Sequence, residues 1–423
     1  MSTGADILDD LRWRGLIAQT TDEDDLRAHL DEGPVTVYCG FDPTAPSLHF
    51  GNLVQLIVLR RLQAAGHKVI CLVGGSTGLI GDPKPTAERV LKTKDQTGAN
   101  VARIKELVRP FLDFDGSNAA ILVDNLDWTA PMSALDFLRD IGQHFRVNQM
   151  IRKDAVAARL NSEVGISYTE FSYQILQALD FLHLFRTHGC TLQTGGQDQW
   201  GNLTAGVDLI HRVEGAAAHV LTTPLLTDEA GNKFGKSEGN AVWLSADMTS
   251  PYAFYQYWIN IPDSEVAKLL RVFTDRTPED IAELEMVTLQ TPHLRLAQRA
   301  LAADVTTLVH GEHATEQADT ASQVLFGKAE PAALDADTLR DATAELPGAD
   351  VQPGATVVEA LVQIGLAESR GAARRLIGEG GVSVNNVKVT EVEAVLQEAD
   401  FLHGATALLR RGRKHLAAAR KAL

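Results

Sequence analysis

The chain is poor in the residues that build metal clusters and disulfide frameworks. Its 423 residues include three cysteines, Cys39, Cys71 and Cys190, and no two of them stand in a C-x-x-C spacing. The closest histidine pair, His310 and His313, lies in a polar segment where a solvated helix face is the simpler interpretation. We therefore expect a reduced protein with neither a bound structural metal nor a disulfide framework.

Long apolar runs are missing as well. No run reaches the roughly 18 residues that a membrane-spanning helix needs. The first residues carry Asp6, Asp9 and Asp10 and lack the basic and apolar pattern of a signal peptide. We therefore expect no membrane segment and a cytoplasmic location.

Positive charge is scarce, since the net charge is −16. Such a balance argues against broad affinity for nucleic acids. Residues 355–423 differ from the rest, because ten Lys and Arg stand there against seven Asp and Glu, with no acid after Asp400. Two interpretations stay open: RNA contacts concentrated at this end of the chain, or a solvated basic tail.

Apolar residues make up 45% of the chain, enough for two or three domains. Up to about residue 240, β-rich runs at 35–39, 69–73 and 120–123 alternate with helical patterns at 53–65 and 101–111. This alternation predicts an α/β fold with a doubly wound parallel sheet. The glycine-rich stretch 73–83 matches neither the dinucleotide fingerprint nor the P-loop, but it indicates a ligand crevice at the carboxyl edge of the sheet.

The composition changes again after residue 245. Residues 246–330 have a helical pattern, 331–354 are rich in Ala, Asp, Pro and Gly, and 355–423 combine two helix patterns with a strand pattern. We predict a catalytic nucleotide-binding domain over 1–245, a helical domain over 246–330, a linker with at most one short helix over 331–354 and a small α+β domain over 355–423.

Two short motifs about 180 residues apart carry the chemistry: His49-Phe50-Gly51-Asn52 and Lys233-Phe234-Gly235-Lys236-Ser237. The first follows a predicted strand and opens a helix, whose N-terminus favours anions. The second brings two lysines onto a glycine-containing loop, suited to charge developing on a leaving pyrophosphate. Alone, each motif is more typical of a capping turn or a surface loop. Together, in this order, they resemble the ATP-site signatures of class I aminoacyl-tRNA synthetases.

Longer strings extend the resemblance nearly end to end, to the bacterial tyrosyl-tRNA synthetases: LRWRGL at 11–16, YCGFDPT at 38–44, GLIGDP at 78–83, EFSY at 170–173 and GGQDQWGN at 195–202. The resemblance implies a Rossmann-like core, a helical anticodon-arm domain and an RNA-binding domain of the ribosomal S-four type. It also implies L-tyrosine, ATP with Mg²⁺ and tRNA-Tyr as substrates, and a homodimer. The sequence hint of a dimer is an apolar set within 137–150: Phe137, Leu138, Ile141, Phe145, Val147 and Met150.

The resemblance implies that Tyr38 and Asp180 bind the phenol of tyrosine. One hydroxyl and one carboxylate satisfy its donor and its acceptor. The ammonium group would contact Asp82, Tyr173 and Gln177, and the carboxylate side Gln199. Independently of the resemblance, Tyr173, Gln177 and Asp180 are spaced i, i+4, i+7 and share one helix face.

For ATP, the resemblance implies contacts with the ribose or backbone from Cys39, Gly40, Asp42, Gly51, Gly196 and Asp198. Catalytic contacts to the phosphates would come from Thr44, His49, Asn52, Arg89, Lys233, Lys236 and Ser237. Asn52 departs from the more common His, and it cannot become cationic. The segment after Asp82 is one residue short of the common spacing, so Arg89 is favoured over Lys84 as a phosphate contact.

The RNA-binding residues expected in the tail are all basic: Arg370, Arg374, Arg375, Arg410, Arg411, Arg413 and Lys414. Two other enzyme classes remain as alternatives. A tryptophanyl-type synthetase shares the motifs, but an indole offers only a donor to the Tyr38 and Asp180 pair. A non-tRNA nucleotidyltransferase lacks the amino-acid pocket and the long C-terminal regions.

Overall fold

The computed structural model describes residues 4–84, 88–162, 165–227, 235–237, 240–412 and 414–422. The strands, in chain order, are β1 Gln19–Thr20, β2 Thr36–Phe41, β3 Lys68–Val73, β4 Ile121–Asp124, β5 Cys190–Gly196, β6 His219–Thr223, β7 Lys236–Ser237, β8 Asn240–Ala241, β9 Gly348–Val351, β10 Val382–Val384, β11 Val387–Lys388, β12 Thr406–Arg411 and β13 His415–Lys421. The helices are α1 Gly4–Trp13, α2 Glu23–Asp31, α3 Phe50–Ala64, α4 Thr77–Ile80, α5 Lys94–Val108, α6 Leu126–Thr129, α7 Ala134–Asp136, α8 Val147–Met150, α9 Asp154–Leu160, α10 Tyr168–His188, α11 Trp200–Glu214, α12 Pro251–Ile259, α13 Asp263–Phe273, α14 Pro278–Gln290, α15 Leu296–His310, α16 Glu312–Leu325, α17 Ala336–Thr343, α18 Val357–Gln363 and α19 Arg370–Gly378.

A six-stranded sheet in the order β1-β6-β5-β2-β3-β4 forms the first part of the chain. Strands β2 to β6 pair in parallel, which confirms the predicted doubly wound sheet. β1 is an antiparallel edge strand, and its two residues are too few to show an alternating pattern in the sequence. The chain runs outward through β2, β3 and β4 and then returns to place β5 beside β2. The carboxyl ends of β2 and β5 therefore flank a topological switch point, where ligands bind in such sheets.

The chain divides into two compact units. The first contains the chain up to Met248 together with 263–290, and the second contains 249–262 together with 291–423. The helical region predicted as one domain over 246–330 is thus shared between them. The reason lies in α13, whose apolar side chains are buried in the first unit, with Phe273 beside Phe50 at 6.4 Å between ring centroids.

The second unit contains a five-stranded sheet in the order β11-β10-β12-β13-β9. The segment predicted as a linker over 331–354 contains one short helix, α17, as the prediction allowed. It differs from a linker because it also contains β9, which pairs in parallel with β13. Leu334, Leu339 and Ala342 are buried in a cluster with Leu408 of β12. A few buried apolar side chains are therefore enough to hold this segment in an ordered conformation, although its composition is rich in Ala and Asp.

Within the described ranges, no helix is both long and apolar enough to cross a membrane.

Candidate active site

The first motif forms the N-terminus of α3. His49 is its N-cap: Nδ1 of His49 accepts from the Gly51 N–H at 3.1 Å, and the side chain of Asn52 accepts from the His49 N–H at 3.2 Å. The helix starts three residues earlier than predicted because this reciprocal capping pair satisfies backbone donors of the first turn. The side chain of His49 is exposed, so the imidazole remains accessible at a site that favours anions.

Gly235, which belongs to the described part of the second motif, packs against Phe50 of the first motif. A Cβ on Gly235 would lie 2.7 Å from Cδ2 of Phe50, and the φ of Gly235 is +82°, so this approach requires glycine. His49 also pairs with Trp243 in an antiparallel bridge, and the Leu244 N–H donates to the Leu48 carbonyl at 2.8 Å. Lys233, and the side chains of Lys236 and Ser237, lie outside the described residues.

Asp180 of α10 lies at the centre of a buried polar network. It is 2% exposed, and its two carboxylate oxygens accept from Nδ2 of Asn125 and Nε1 of Trp128, each at 2.9 Å. Burial raises the pKa of Asp180 to about 7, and these two hydrogen bonds oppose the rise. Sequence reasoning missed Asn125 and Trp128, although both follow β4 at the carboxyl edge of the sheet, where ligand-site residues collect.

Tyr38 of β2 faces the same region. Its ring packs against Phe181 at 5.3 Å between centroids, and its side chain is 1% exposed. Burial and the nearby Asp180 carboxylate raise the pKa of Tyr38 well above its ordinary value, so the phenol stays protonated. Its hydroxyl is buried and has no hydrogen-bond partner among the described residues. A buried hydroxyl without a partner is costly, so this atom is suited to a ligand.

The network continues from Asn125 to Asp42. Asn125 Nδ2 donates to Thr77 Oγ1 at 3.1 Å, and Thr77 Oγ1 donates to Asp42 at 2.7 Å. Tyr173 donates its hydroxyl to the other oxygen of Asp42 at 2.9 Å. A Cβ on Gly74 would lie 2.3 Å from Asp42, so the glycine-rich stretch makes room for this carboxylate. Burial raises the pKa of Asp42 to about 6, opposed by the bonds from Thr77 and Tyr173.

A second polar cluster surrounds Asp82, and it includes Gln199. Gln199 and Asn202 donate to the two oxygens of Asp82 at 3.2 and 3.0 Å. Lys153 donates to the side-chain oxygen of Asn202; burial lowers the pKa of Lys153 and Asp82 opposes that shift. Sequence reasoning missed Asn202 and Lys153. Gln177 is one turn of α10 from Asp180, and its buried Oε1 has no partner among the described residues.

Arg89 is held close to Asp82. Its Nε donates to the Asp82 carbonyl at 2.8 Å, and its backbone N–H donates to Glu170 at 2.9 Å. Glu170 in turn forms an ion pair with Arg159 at 3.0 Å, and both side chains are 1% exposed. Removing one partner of such a buried pair is strongly destabilising, so the pair anchors the chain near Arg89. Lys84, the alternative to Arg89, is exposed.

The other ATP candidates lie at the same edge of the sheet. Thr44, Gly40, Gly51 and Asp198 are exposed. A Cβ on Gly196 would lie 2.6 Å from the carboxylate of Asp198, so a larger residue at position 196 would clash with Asp198. Cys39 is buried, with its sulfur 3.9 Å from Oε1 of Gln55, and burial raises the pKa of its thiol to about 12. Cys39 is thus a neutral thiol facing α3.

The basic residues of the tail lie in the second unit. Arg370, Arg374 and Arg375 are exposed on α19; Arg370 pairs with Glu359 at 3.0 Å and Arg374 with Glu393 at 3.9 Å. Lys414 is exposed, Arg411 donates to the Leu366 carbonyl at 2.9 Å, and Arg413 lies outside the described residues.

Arg410 requires a correction. It is 9% exposed, and its guanidinium donates to the carbonyls of Val324 and Leu325 at the end of α16, at 3.2 and 2.9 Å, and to Asn386 at 3.2 Å. It satisfies carbonyls that a helix end leaves unpaired. Arg410 is therefore a structural residue and not part of the exposed basic surface.

Among the described residues, no group of three or more His, Cys, Asp and Glu side chains is placed to hold a metal ion.

Comparison with known proteins adds two family matches. Residues 30–327 match the family model of tRNA synthetases class I (W and Y), and residues 338–418 match that of the tyrosine–tRNA ligase SYY-like C-terminal domain. The chain is 58% identical to the tyrosine–tRNA ligase of Streptomyces griseus and 55% identical to that of Acidothermus cellulolyticus; the first match covers 98% of both chains, the second 98% and 99%.

Among solved structures, the chain resembles a C-terminally truncated mitochondrial tyrosyl-tRNA synthetase from Aspergillus nidulans, with a TM-score of 0.69 and 30% identity over 76% of this chain and 94% of the other. The corresponding truncated enzyme from Coccidioides posadasii gives a TM-score of 0.66 and 32% identity, over 74% and 90%.

Proposed function

We infer the roles of individual residues from one premise: the chain belongs to the tyrosine–tRNA ligases, which are class I aminoacyl-tRNA synthetases. It is an enzyme that uses ATP to join tyrosine to its tRNA. The observation that carries the assignment of the site is a pair of buried atoms without partners among the described residues, the hydroxyl of Tyr38 and Oε1 of Gln177. Asp180, whose carboxylate is already bonded to Asn125, lies one turn of α10 from Gln177.

We propose that the phenol of tyrosine donates to Asp180 and accepts from Tyr38. Asn125 and Trp128 already donate to Asp180, so they fix the carboxylate and favour its ionised, accepting form. The ammonium group of the substrate would donate to Oε1 of Gln177, with Asp82 and Tyr173 nearby. Tyr173 also acts indirectly, because its hydroxyl is bonded to Asp42.

For the chemical step, we propose that the tyrosine carboxylate attacks the α-phosphate of ATP and that pyrophosphate departs. The attack needs no side chain as nucleophile or base, so the protein contributes position and electrostatic stabilisation. Thr44 in the loop before α3, with His49 and Asn52 at the start of that helix, would contact the phosphates. Further phosphate contacts would come from Arg89, Lys233, Lys236 and Ser237. Asp42, Gly196 and Asp198 would contact the ribose, and Mg²⁺ would accompany ATP, held by its phosphates.

Transfer to the terminal adenosine of tRNA-Tyr completes the reaction. We propose that the second unit supplies the RNA contacts through Arg370, Arg374 and Arg375, with Arg411, Arg413 and Lys414, and that the enzyme works in the cytoplasm.

The decisive experiment is ATP–pyrophosphate exchange driven separately by each of the twenty amino acids. We expect exchange with tyrosine alone. Exchange driven by tryptophan would indicate the tryptophanyl-type alternative, and exchange with none of the twenty would indicate a nucleotidyltransferase of another kind.

Tyrosine binding should depend on pH through Asp180. Its pKa is raised to about 7, and the ionised form accepts the phenol, so lowering the pH protonates the acceptor. We expect the tyrosine Kd to be constant above about pH 8 and to rise about tenfold per unit below about pH 6. Fluorescence titration across pH 5–9 measures this.

Two variants give the control for that titration. Asp180→Asn has no carboxyl at this position, so its curve should be flat near pH 7. Asn125→Ala removes a bond that favours the ionised form, so its curve should move to higher pH. A wild-type Kd without any change between pH 5 and 8 would contradict the assignment.

We propose a homodimer that uses the apolar surface around residues 126–151. Ile141 and Met150 of the predicted set are buried in the chain's own core, but Leu138 and Val147 are 51% and 62% exposed, and the neighbouring Leu135 is 79% exposed. Such a patch is typical of a contact surface.

Sedimentation should give twice the 45.8 kDa of one chain, and Leu138→Asp with Val147→Asp should reduce the mass to that of one chain. A wild-type particle of 45.8 kDa at micromolar concentration would rule out the dimer.

A further inference from the structure

The loop between β2 and α3 is bonded to α5 and to the segment that leads into α5. Asn100 of α5 donates to the Pro43 carbonyl at 3.0 Å, and Lys92, two residues before α5, donates its ammonium group to the Thr44 carbonyl. The Thr44 N–H donates to the Asp42 carbonyl at 2.8 Å, so the loop turns tightly at this contact. Lys92 was not among the residues selected from the sequence.

The charge of Lys92 is not neutralised by a neighbour. Its ammonium group forms no ion pair with any carboxylate of the described residues, and burial alone lowers its pKa. Two other basic side chains of the site lie beside carboxylates, since Arg159 pairs with Glu170 and Lys153 lies beside Asp82. Arg89, already a candidate phosphate contact, donates to a backbone carbonyl as Lys92 does. An ammonium group has three donors, and the Thr44 carbonyl uses one of them.

We propose that Lys92 is a further phosphate-binding residue of the enzyme, which contacts the departing pyrophosphate of ATP from the Thr44 side of the loop. Five residues after Thr44 the same loop becomes the N-terminus of α3, where backbone N–H groups favour anions. An unneutralised cation in contact with this loop, in a chain of net charge −16, adds to that preference. The proposal rests on the proposed function, which places the phosphates beside Thr44 and His49.

Three substitutions distinguish a phosphate contact from a bond that only holds the loop. Lys92→Gln keeps a donor for the Thr44 carbonyl but removes the charge, and Lys92→Arg keeps both. Lys94→Gln is the matched control, because Lys94 is exposed and lies two residues away. The measurements are the KM for inorganic pyrophosphate and the kcat in tyrosine-driven exchange, with tyrosine Kd by fluorescence.

We expect Lys92→Gln to raise the pyrophosphate KM or lower the kcat by about tenfold or more, since a hydrogen bond to a charged group is lost. The tyrosine Kd, the Lys92→Arg variant and the Lys94→Gln variant should stay close to wild type. A Lys92→Gln variant with wild-type exchange, or one that loses tyrosine affinity to the same degree, would overturn the proposal. Failure of the proposed function itself gives a different result, namely no tyrosine-driven exchange by the wild-type enzyme.

Discussion

Asp180→Asn is expected to reduce the preference for tyrosine over phenylalanine by about 100-fold, measured as the ratio of kcat/KM values in pyrophosphate exchange. The carboxylate accepts from Asn125 on one oxygen and from Trp128 on the other. An asparagine has only one oxygen, so its amide NH₂ must face one of those donors or turn toward the substrate. Losing a hydrogen bond to a charged group costs about 1.5–3 kcal/mol, or roughly 10- to 150-fold, and the expected factor lies in the upper part of this range because the carboxylate is buried.

The control is Asp208→Asn, which removes a carboxylate from an exposed position on α11 and should leave the ratio unchanged. Tyr38→Phe separates selectivity from stability. Because the Tyr38 hydroxyl is buried without a partner in the free protein, its loss should leave the free energy of unfolding equal or higher while selectivity falls. If Asp180→Asn and Tyr38→Phe both keep the wild-type ratio, the pocket is elsewhere.

The second large effect is expected in the tail. Replacing Arg370, Arg374 and Arg375 together by Gln should raise the KM for tRNA-Tyr by at least tenfold and leave pyrophosphate exchange unchanged. The three side chains are exposed on α19, and each phosphate contact releases about 0.7–0.9 of a counterion. The slope of log kcat/KM against log salt should therefore become shallower by about 2.

Arg410→Met is the contrasting variant, since Arg410 bonds the end of α16 inside the second unit. It should lower the melting temperature without changing the salt slope. Point substitutions are also better than removal of 355–423. That cut would leave β9 without β13 and expose Leu334 and Leu339, which are buried beside Leu408. A triple variant with the wild-type KM and salt slope would show that α19 is only a solvated surface.

The sequence was sufficient to predict those features that depend on residues close together in the chain. Their spacing alone predicts that Tyr173, Gln177 and Asp180 share one face of a helix, and all three lie on α10. The alternation of strands and helices predicts the parallel sheet. The contact between Gly235 and Phe50 also agrees with the idea that the two motifs form one site.

Long-range partners could not be predicted from the sequence. The bond from Tyr173 to Asp42 joins residues 131 apart, and nothing near Asn125 in the sequence indicates Asp180. Arg410 shows the opposite error: a basic residue beside Arg411 and Lys414 has the composition of an RNA surface, yet its strand turns it toward carbonyls of α16. The spacing of residues predicts which side chains share one face of a helix or strand. It does not predict which side chains of another element pack against that face.

The division of the chain bears on how it folds as it is synthesised. The polypeptide passes from one compact unit to the other after Met248, Pro262 and Gln290, so neither unit is continuous in sequence. The first unit is incomplete until α13 and α14 have left the ribosome, and α12 must wait for α15 and α16 before it can bury Phe254 and Trp258. Domains usually fold as units from the N-terminus. A nascent chain stopped near residue 262 should therefore expose apolar surface and be a substrate for chaperones, whereas one released after residue 290 can complete its nucleotide-binding core.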